Sequence, residues 1–498
     1  MKGILSLVIA LALTLCMATA AFAAMPDVQW DREADVVVIG YGPAGALAAK
    51  AAVDNGATTL ILEKASKEFA GGSAPTSMAF VRLPRVAESV YNESHGRISM
   101  DLATRIADKG NENMAWLCDN GMEMNGNVTV GYGRGFYKAL TTNIDAMGIE
   151  CLYETPAESL IQDPETKEIW GVQCTDASGK TVNVKANKGV VIATGGYIEN
   201  RDLVSRFHFA NMPPYANAGA PTQTGDGLLM ALKVGAALDG MSNQQIEWFG
   251  IAYKKASDEM GTAILHQYNT MGPDSRIFVN AKGQRFMNEE QYLTHSKEQL
   301  SMFDYNGTFP VFESFKNFPM YTIFDSTMFD AGPVGPRDFS TGYASAYNIY
   351  NWSEDNQAEL ERGWLVKADT IEELVEKLAE QSGNDPIDVE ALKATIEAYN
   401  AACDAGEDAE FGRDSFMLSK IATPPYYAAE IEPAAVYTIG GLVCGENMET
   451  LDWDGNPIPR LYHAGDVGQP TKFTILSLAG AMATGEIAGT ACAQLESH

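Results

Sequence analysis

Two side chains that can donate a proton lie close together in the middle of the chain. The segment FMNEEQYLTH, residues 286–295, contains Tyr292 and His295. A free phenol has a pKa near ~10, so it carries its proton at neutral pH and can donate it where its anion is stabilised. An imidazole titrates near neutrality. The segment therefore has the residue types of a general acid, and other elements must position it and supply a reactant.

An apolar run that ends in GxGxxG lies near the N-terminus. Residues 35–45 read DVVVIGYGPAG, followed by a small-residue helix pattern and a second apolar run, TTLILEK. In such a βαβ unit Gly40 permits a tight turn, Gly42 lets a pyrophosphate approach the backbone, and Gly45 lets the helix pack on the sheet. Glu63 lies 18 residues after Gly45, where an acid hydrogen-bonds ribose hydroxyls. The pattern predicts an α/β sheet that binds a dinucleotide.

Later glycine-rich patches favour FAD over NAD. They are GGS at 71–73, TGG at 194–196, TGDG at 224–227 and LYHAGD at 461–466, the last followed by a small-residue helix pattern. FAD needs contacts this widely spread because its ribitol and isoalloxazine extend beyond the first βαβ unit, and a helix start suits the negative charge of the reduced ring. The residues expected to contact FAD are Gly40, Gly42, Ala44, Gly45, Glu63, Lys64, Gly71, Gly72, Ser73, Thr194, Gly195, Gly196, Asp226, Gly465, Asp466, Ser477 and Leu478.

The N-terminal segment and the net charge restrict location and partners. Residues 1–23 contain one charge, Lys2, then an apolar stretch and the small-x-small pattern Ala21-Phe22-Ala23, which predicts a signal peptide cleaved near Ala23 and an exported, periplasmic or extracytoplasmic protein. A retained membrane anchor is the alternative. The formal charge of -30 argues against nucleic acid as partner. It indicates either solubility or recognition of a basic partner protein.

The cysteines after the signal segment are scattered, with no CxxC and no CxxCH. That spacing excludes c-type haem attachment and argues against a cysteine-ligated cluster. No His, Asp and Glu set has convincing metal spacing either, so we expect no metal site. A disulfide stays possible, but spacing does not identify it.

Together, the motifs resemble the fumarate reductase and succinate dehydrogenase flavoprotein superfamily. The chain is most similar to flavocytochrome c fumarate reductases and their urocanate-reductase and 3-ketosteroid-dehydrogenase relatives. The resemblance covers about residues 33 to 492 and is carried by VVVIGYGPAG, LILEK, VVIATGGY, TGDGLLMA, RIFVNAKGQRFMNE, PPYYAAEIEPAAVYTIGGL and GNPIPRLYHAGDVG. It implies a Rossmann-like FAD-binding domain in two sequence segments, 31–253 and 431–498, with an inserted α+β clamp (capping) domain at 254–430.

The resemblance also implies a chemistry and a mode of cofactor binding. Hydride passes from flavin N5 to one carbon of an activated C=C bond, and an acid on the clamp protonates the other carbon. Quinone-linked members attach FAD through a histidine just after the GG segment. Here that segment reads GGSAPTSMAF, without a histidine, so FAD is expected to be non-covalent.

The fumarate-binding residues of the family do not carry over. Its substrate and proton-relay positions, one catalytic arginine among them, fall on Phe249, Asn269, Gly272, Leu293 and Tyr437, with Lys472 as the nearest cation in a shortened loop. Two carboxylates need fixed donors such as bidentate Arg, and unpaired charge in a dry site costs on the order of several kcal/mol. Fumarate is therefore rejected. Phe249, Tyr268 and Lys472 are the expected substrate contacts, and Trp248 and further tyrosines suggest an apolar ligand.

Three residues are candidates for the catalytic acid or its partner. Tyr292 is the first, because ketosteroid relatives have a tyrosine one residue further on. His295 is the second. Tyr437 is the third and is expected to hydrogen-bond a substrate carbonyl or carboxylate.

Three functions stay open. The first is an exported FAD-dependent ene-reductase for an α,β-unsaturated carbonyl or acid, acting as a respiratory terminal reductase. The second is a 3-oxosteroid-type dehydrogenase running in reverse, and the third a non-catalytic flavin-binding or electron-relay protein. Since only one dinucleotide fingerprint is present, electrons are expected to move through an external c-type cytochrome, an FMN protein or a quinol-linked donor.

Overall fold

The computed structural model describes residues 28–79, 85–207, 215–241, 246–253, 273–290, 317–335, 343–468 and 478–498. Side chains at 246–251 and 345 lie outside the description. The strands are β1 Arg32–Ile39, β2 Thr59–Leu62, β3 Met124–Asn125, β4 Val128–Thr129, β5 Glu150–Leu152, β6 Ala157–Gln162, β7 Ile169–Thr175, β8 Thr181–Ile192, β9 Ala216–Asn217, β10 Leu238–Asp239, β11 Ile246–Tyr253, β12 Ile277–Asn280, β13 Met320–Asp325, β14 Val366–Ala368, β15 Tyr426–Thr438, β16 Gly441–Leu442, β17 Glu449–Leu451 and β18 Pro457–His463.

The α-helices follow the same chain order. They are α1 Pro43–Asp54, α2 Ala87–Glu93, α3 Met100–Asp119, α4 Tyr132–Ala146, α5 Arg201–Phe207, α6 Asp226–Lys233, α7 Ser326–Asp330, α8 Tyr343–Ala346, α9 Gln357–Glu361, α10 Ile371–Ser382, α11 Val389–Ala405 and α12 Leu478–Ala493. Within the described residues, no helix is both long enough and apolar enough to cross a bilayer. The predicted signal peptide lies outside the described residues.

The first sheet confirms the predicted α/β fold class. Its strand order is β17-β18-β8-β1-β2-β5, with β7 beside β8 and β6 beside β7. The central pairs β18–β8, β8–β1, β1–β2 and β2–β5 are parallel. In β1, Val36 and Val38 join one buried cluster and Val37 and Ile39 join another. The continuous apolar run VVVI thus reflects a parallel sheet buried on both faces.

A second sheet contains β11, β15, β13 and β12 in that order, with β14 and β9 also paired to β15. Strand β15 spans residues 426–438, so it runs without a break across the predicted domain boundary at 430/431. The other boundary, at 253/254, lies directly opposite, because Tyr253 pairs with Ile431. The chain therefore leaves and re-enters the FAD-binding segments through two neighbouring antiparallel strands. The domain boundaries themselves stay predictions.

Two amphipathic helices cover the second sheet and share a buried cluster with it. Helix α10 begins after Thr370, whose side chain accepts a hydrogen bond from the Glu373 backbone N–H. Helix α11 begins after Asp388, which caps Ala391 in the same way. Both caps satisfy N–H groups that lack a partner in the first turn.

His463, the last residue of β18, is buried in the first sheet and makes stability depend on pH. Its Nδ1 atom lies 2.9 Å from Thr450 Oγ1, and burial lowers its pKa to about 3. Between pH 6.5 and 5 the unfolded histidine gains a proton that the folded one does not. The free energy of unfolding should therefore fall by about 2 kcal/mol over that range because of this residue.

Urea unfolding at the two pH values, compared between wild type and His463→Gln, measures this contribution. The His463→Gln protein should show the weaker pH dependence. The matched control is His95→Gln, because His95 is exposed. Equal pH dependence in wild type and His463→Gln would remove this account of His463.

Candidate functional site

A cavity of about 570 Å³ opens at the carboxyl ends of β1, β2 and β8. Parallel α/β sheets commonly bind ligands at this edge. Among the residues predicted to contact FAD, those that line the cavity are Gly40, Gly42, Ala44, Glu63, Lys64, Gly71, Gly72, Ser73, Thr194, Gly195, Asp226, Gly465, Asp466 and Leu478. Gly45 and Gly196 lie behind this wall, and Ser477 lies outside the described residues.

The three glycines of the fingerprint are required for different physical reasons. A Cβ on Gly40 would lie 2.5 Å from Ala193 O, and one on Gly45 would lie 1.9 Å from Gly40 O. A Cβ on Gly42 would meet its nearest atom, Gly71 O, at an ordinary 3.6 Å. Packing therefore requires Gly40 and Gly45, whereas Gly42 borders open cavity. This arrangement fits a phosphate held close to the backbone at the start of α1.

Glu63 is a buried carboxylate at the end of β2. Its two oxygens accept hydrogen bonds from the backbone N–H groups of Tyr41 and Ala65, each at 2.8 Å. Burial raises the pKa of this carboxyl above its usual value. The backbone contacts fix the side chain at the cavity wall, where its remaining lone pairs can accept from ribose hydroxyls.

Lys64, the next residue, links the first βαβ unit to the TGDG segment. Its Nζ donates to Asp226 Oδ2 at 2.7 Å and to Thr224 Oγ1 at 2.5 Å. Asp226 is the first residue of α6. The contact brings residues more than 150 positions apart into one cavity wall.

Helices α1 and α12 both point their N-termini towards the cavity. Because Gly485 and Gly489 have no side chain, their backbone can contact Ala44 and Ala48. The two helices therefore run parallel and in close contact. Given ~1.5 Å per residue, the described part of α12, from Leu478, extends roughly 9 Å beyond the start of α1. The partial positive ends of two helices thus face one cavity, which suits an elongated ligand with separate anionic groups. Together with the Gly42 opening, this geometry fits FAD.

Several lining residues carried no signal in the sequence. They include Met78, Arg85, Gln223 and Val436. Gln223 directly precedes the TGDG motif, but a glutamine at that position belongs to no recognised sequence motif. Arg85 is set in place by Asn111 of α3, which accepts from the Arg85 backbone N–H at 2.8 Å and donates to its carbonyl at 3.0 Å. Only the folded chain brings these residues to the cavity.

Of the predicted catalytic residues, Tyr437 is placed at this cavity. It lies near the end of β15, beside Val436, and both line the wall. Tyr292, His295, Tyr268 and Lys472 lie outside the described residues, and so do the side chains of Trp248 and Phe249 in β11. Their roles stay predictions.

A buried ion network holds the segment that leads to Tyr292. Arg285 Nη2 lies 2.7 Å from Glu289 Oε2 and 2.9 Å from Asp408 Oδ2, and all three side chains are nearly fully buried. Removing one partner of such a network leaves an uncompensated charge and costs about 3–5 kcal/mol. The RFMNE motif therefore has a structural role at residues 285–289.

Comparison with known proteins agrees with this site. The family model described as "FAD binding domain" matches residues 76–472. A vinyl phenol reductase of Lactiplantibacillus plantarum is 28% identical over 87% of this chain and 89% of its own length. An NADH:fumarate oxidoreductase of Klebsiella pneumoniae is 27% identical over 87% of this chain, which spans only 44% of that relative.

Among solved structures, the fold is similar to 3-ketosteroid delta1-dehydrogenase from Sterolibacterium denitrificans. The TM-score is 0.72 at 20% identity, with 93% of this chain and 99% of the other covered. The predicted superfamily, fold class and cofactor are thereby confirmed. The chain belongs to the FAD binding domain family and is an FAD-dependent oxidoreductase.

Proposed function

We propose that this protein is an exported FAD-dependent enzyme that reduces an activated C=C bond. Its substrate is not fumarate. Its substrate would be an α,β-unsaturated carbonyl or acid, or an alkene conjugated to a phenol. The observation that carries the proposal is Tyr437 in the wall of the FAD cavity. By resemblance this position holds a histidine in fumarate reductases.

The chemistry of the wall supports a substrate other than a small diacid. Tyr437 can donate one hydrogen bond to a carbonyl, carboxylate or phenol oxygen. Lys64 and Arg85 are the cations of the described wall, and Lys64 is already held by Asp226 at 2.7 Å. Fumarate needs fixed donors for both of its carboxylates, and the sequence has Leu293 where the family has its catalytic arginine.

The reaction needs one hydride and one proton. The cofactor, when bound in its two-electron-reduced form, would supply the hydride to one alkene carbon and so return to oxidised FAD. Tyr292, or else His295, donates the proton to the other carbon and regains it from solvent. Tyr437 withdraws electron density from the conjugated C=C bond through its hydrogen bond and so favours hydride addition. An external donor returns the two electrons.

Vinyl phenol reductase, the relative described above, supports the substrate class. A vinyl phenol is an alkene conjugated to a phenol ring, and several other relatives are named as reductases of acrylate, urocanate or digoxin. All of these substrates have a C=C bond in conjugation with an electron-withdrawing or aromatic group. The aromatic residues near the expected substrate site suit such a ligand.

The N-terminal segment and the net charge support the proposed location and electron donor. Residues 1–23 have the pattern of a signal peptide, and an exported enzyme meets little NADH. The charge of -30 suits a basic electron carrier, such as a small c-type cytochrome, through long-range attraction. An FMN protein or a quinol-linked donor is the alternative. The enzyme would then serve as a terminal respiratory reductase.

Anaerobic reoxidation tests the direction of the reaction. Dithionite-reduced protein, freed of excess reductant, is mixed with a panel of enones, aryl-acrylates and vinyl phenols while the flavin absorbance is followed. We expect at least one of them to restore the oxidised spectrum. If saturated ketosteroids instead bleach the oxidised protein, the enzyme is a dehydrogenase. A flavin unchanged in both experiments would indicate a non-catalytic protein.

A further inference from the structure

We infer that Gln223 is a positioning residue that directs the hydroxyl of Ser73 at the cofactor and thereby sets the reduction potential of the flavin. The inference rests on FAD binding in this cavity and deepens the proposed function. It does not depend on which alkene is reduced.

Gln223 is 3% exposed and lies between two predicted flavin-contact loops and β15. Its Nε2 donates to Ser73 Oγ at 2.5 Å and to the Val436 carbonyl at 2.8 Å. Because a carbonyl only accepts, the amide nitrogen must face Val436, and the orientation of the amide is settled. One side chain thus joins the loop after Gly71–Gly72 to the strand that carries Tyr437.

The neighbouring glycines make room for this amide. A Cβ on Gly219 would lie 2.7 Å from Gln223 Nε2, and one on Gly196 would lie 3.2 Å from Gln223 Oε1. At Gly196 the closest atom to such a Cβ is Thr438 Oγ1 at 2.5 Å, so the threonine and the amide both limit the space there. The close fit also leaves the amide little freedom to change its contacts.

The contacts of Ser73 determine where its proton can go. A serine hydroxyl has one donor and two acceptor positions. Both acceptor positions are used, by Gln223 Nε2 at 2.5 Å and by the backbone N–H of Ala220 at 3.3 Å. The hydroxyl must therefore donate in another direction. Ser73 lines the cavity, so the direction left to it is the space where the cofactor binds.

A purely structural role would not explain why residue 223 is a glutamine, because its amide lowers the stability of the fold. Its Oε1 accepts no hydrogen bond from the described residues, and leaving a buried acceptor unsatisfied destabilises the fold. An apolar side chain of similar length would fill the same space without that cost. The amide is needed only if its two donated hydrogen bonds matter, which points to orientation of Ser73 and Val436.

A donor next to an isoalloxazine ring favours the reduced state, because reduction adds electron density to the nitrogen and carbonyl edge of the ring. Losing the Ser73 donor should therefore weaken binding of reduced FAD more than binding of oxidised FAD. Because the net contribution of one hydrogen bond is modest, we expect the ratio of the two affinities to change about twofold to tenfold. Tenfold corresponds to about 30 mV for a two-electron couple.

The test is a double-mutant cycle on the FAD-loaded protein, read by the midpoint potential without any alkene present. Ser73→Ala and Gln223→Met should each lower the potential by a similar amount, and the double variant should lower it no further. Ser73→Thr keeps the hydroxyl and should keep the wild-type potential. The matched control is Asn113→Leu. Asn113 is a buried amide of α3 that donates to Glu486 Oε2 at 2.8 Å and is not among the residues that line the cavity, so its loss should affect stability but not potential.

Two results would overturn the inference. Additive shifts would show that Gln223 does not act through Ser73. An unchanged potential in Ser73→Ala would show that no donor reaches the ring, and this variant alone decides the matter if Gln223→Met is unstable. Neither result concerns the substrate, so the proposed function would stand or fall separately on the reoxidation experiment.

Discussion

Gly42→Val protein is expected to fold normally and to emerge colourless. Gly42 has φ -77° and ψ -176°, an extended conformation that a β-branched residue adopts readily. Its Cβ would have an ordinary contact at 3.6 Å, so the fold accepts the side chain. The two γ-carbons of valine would then occupy the space next to the start of α1 where the pyrophosphate is expected.

We expect the FAD affinity of Gly42→Val to fall at least about 100-fold, equal to about 2.7 kcal/mol. Quenching of FAD fluorescence on titration measures the affinity, and circular dichroism with thermal unfolding verifies the fold. Gly45→Ala is the contrasting variant, because its Cβ would lie 1.9 Å from Gly40 O and should destabilise the fold itself. A yellow, fully loaded Gly42→Val protein would contradict the placement of the cofactor.

Tyr292→Phe is expected to retain FAD but to lower turnover at least about tenfold, the scale for losing a positioned proton donor. Tyr437→Phe should also lower turnover, and it should raise KM because it removes a hydrogen bond to bound substrate as well. Rates of flavin reoxidation at several substrate concentrations separate the two effects. The matched control is Tyr426→Phe, since Tyr426 begins the strand near whose end Tyr437 lies. Unchanged turnover in Tyr292→Phe would exclude Tyr292 as the donor.

The pH dependence of turnover distinguishes Tyr292 from His295. The donor must carry its proton, so a histidine donor loses activity as the pH rises through the usual imidazole range near ~6.5. A tyrosine donor stays protonated through neutral pH. Activity that is level from pH 6 to 8 would favour Tyr292, and a decline over that range which disappears in His295→Gln would favour His295.

Local patterns in the sequence predicted the parts of the fold that depend on local constraints. The strand β1, the helix α1 and the carboxylate Glu63 follow from one βαβ unit, in which packing requires Gly40 and Gly45 and Gly42 borders the cavity. The small-residue helix α12 follows from its local composition in the same way. The structure adds the contact that this helix makes: Gly485 and Gly489, four residues apart, leave room for Ala44 and Ala48 of α1.

The other features of the fold and of the site could be recognised only from the tertiary structure. Gln223 bonds Ser73, 150 positions away, and no local spacing encodes that pair. The continuity of β15 across residue 430 was also hidden, because the run YYAAEIEPAAVYT contains Glu430, Glu432 and Pro433. Buried acids and a proline argue against a central strand when read alone. The folded sheet nevertheless pairs this segment with four other strands.

The rate at which fumarate reoxidises the reduced protein, relative to an aryl-conjugated alkene, tests the central claim most directly. Both are mixed anaerobically with the same FAD-loaded, dithionite-reduced sample at equal concentration. We predict that the aryl alkene restores the oxidised flavin spectrum at least about 100-fold faster, because no pair of fixed donors is expected for two carboxylates. Rapid reoxidation by fumarate, at a rate equal to or above that of every aryl alkene, would contradict the proposed substrate class.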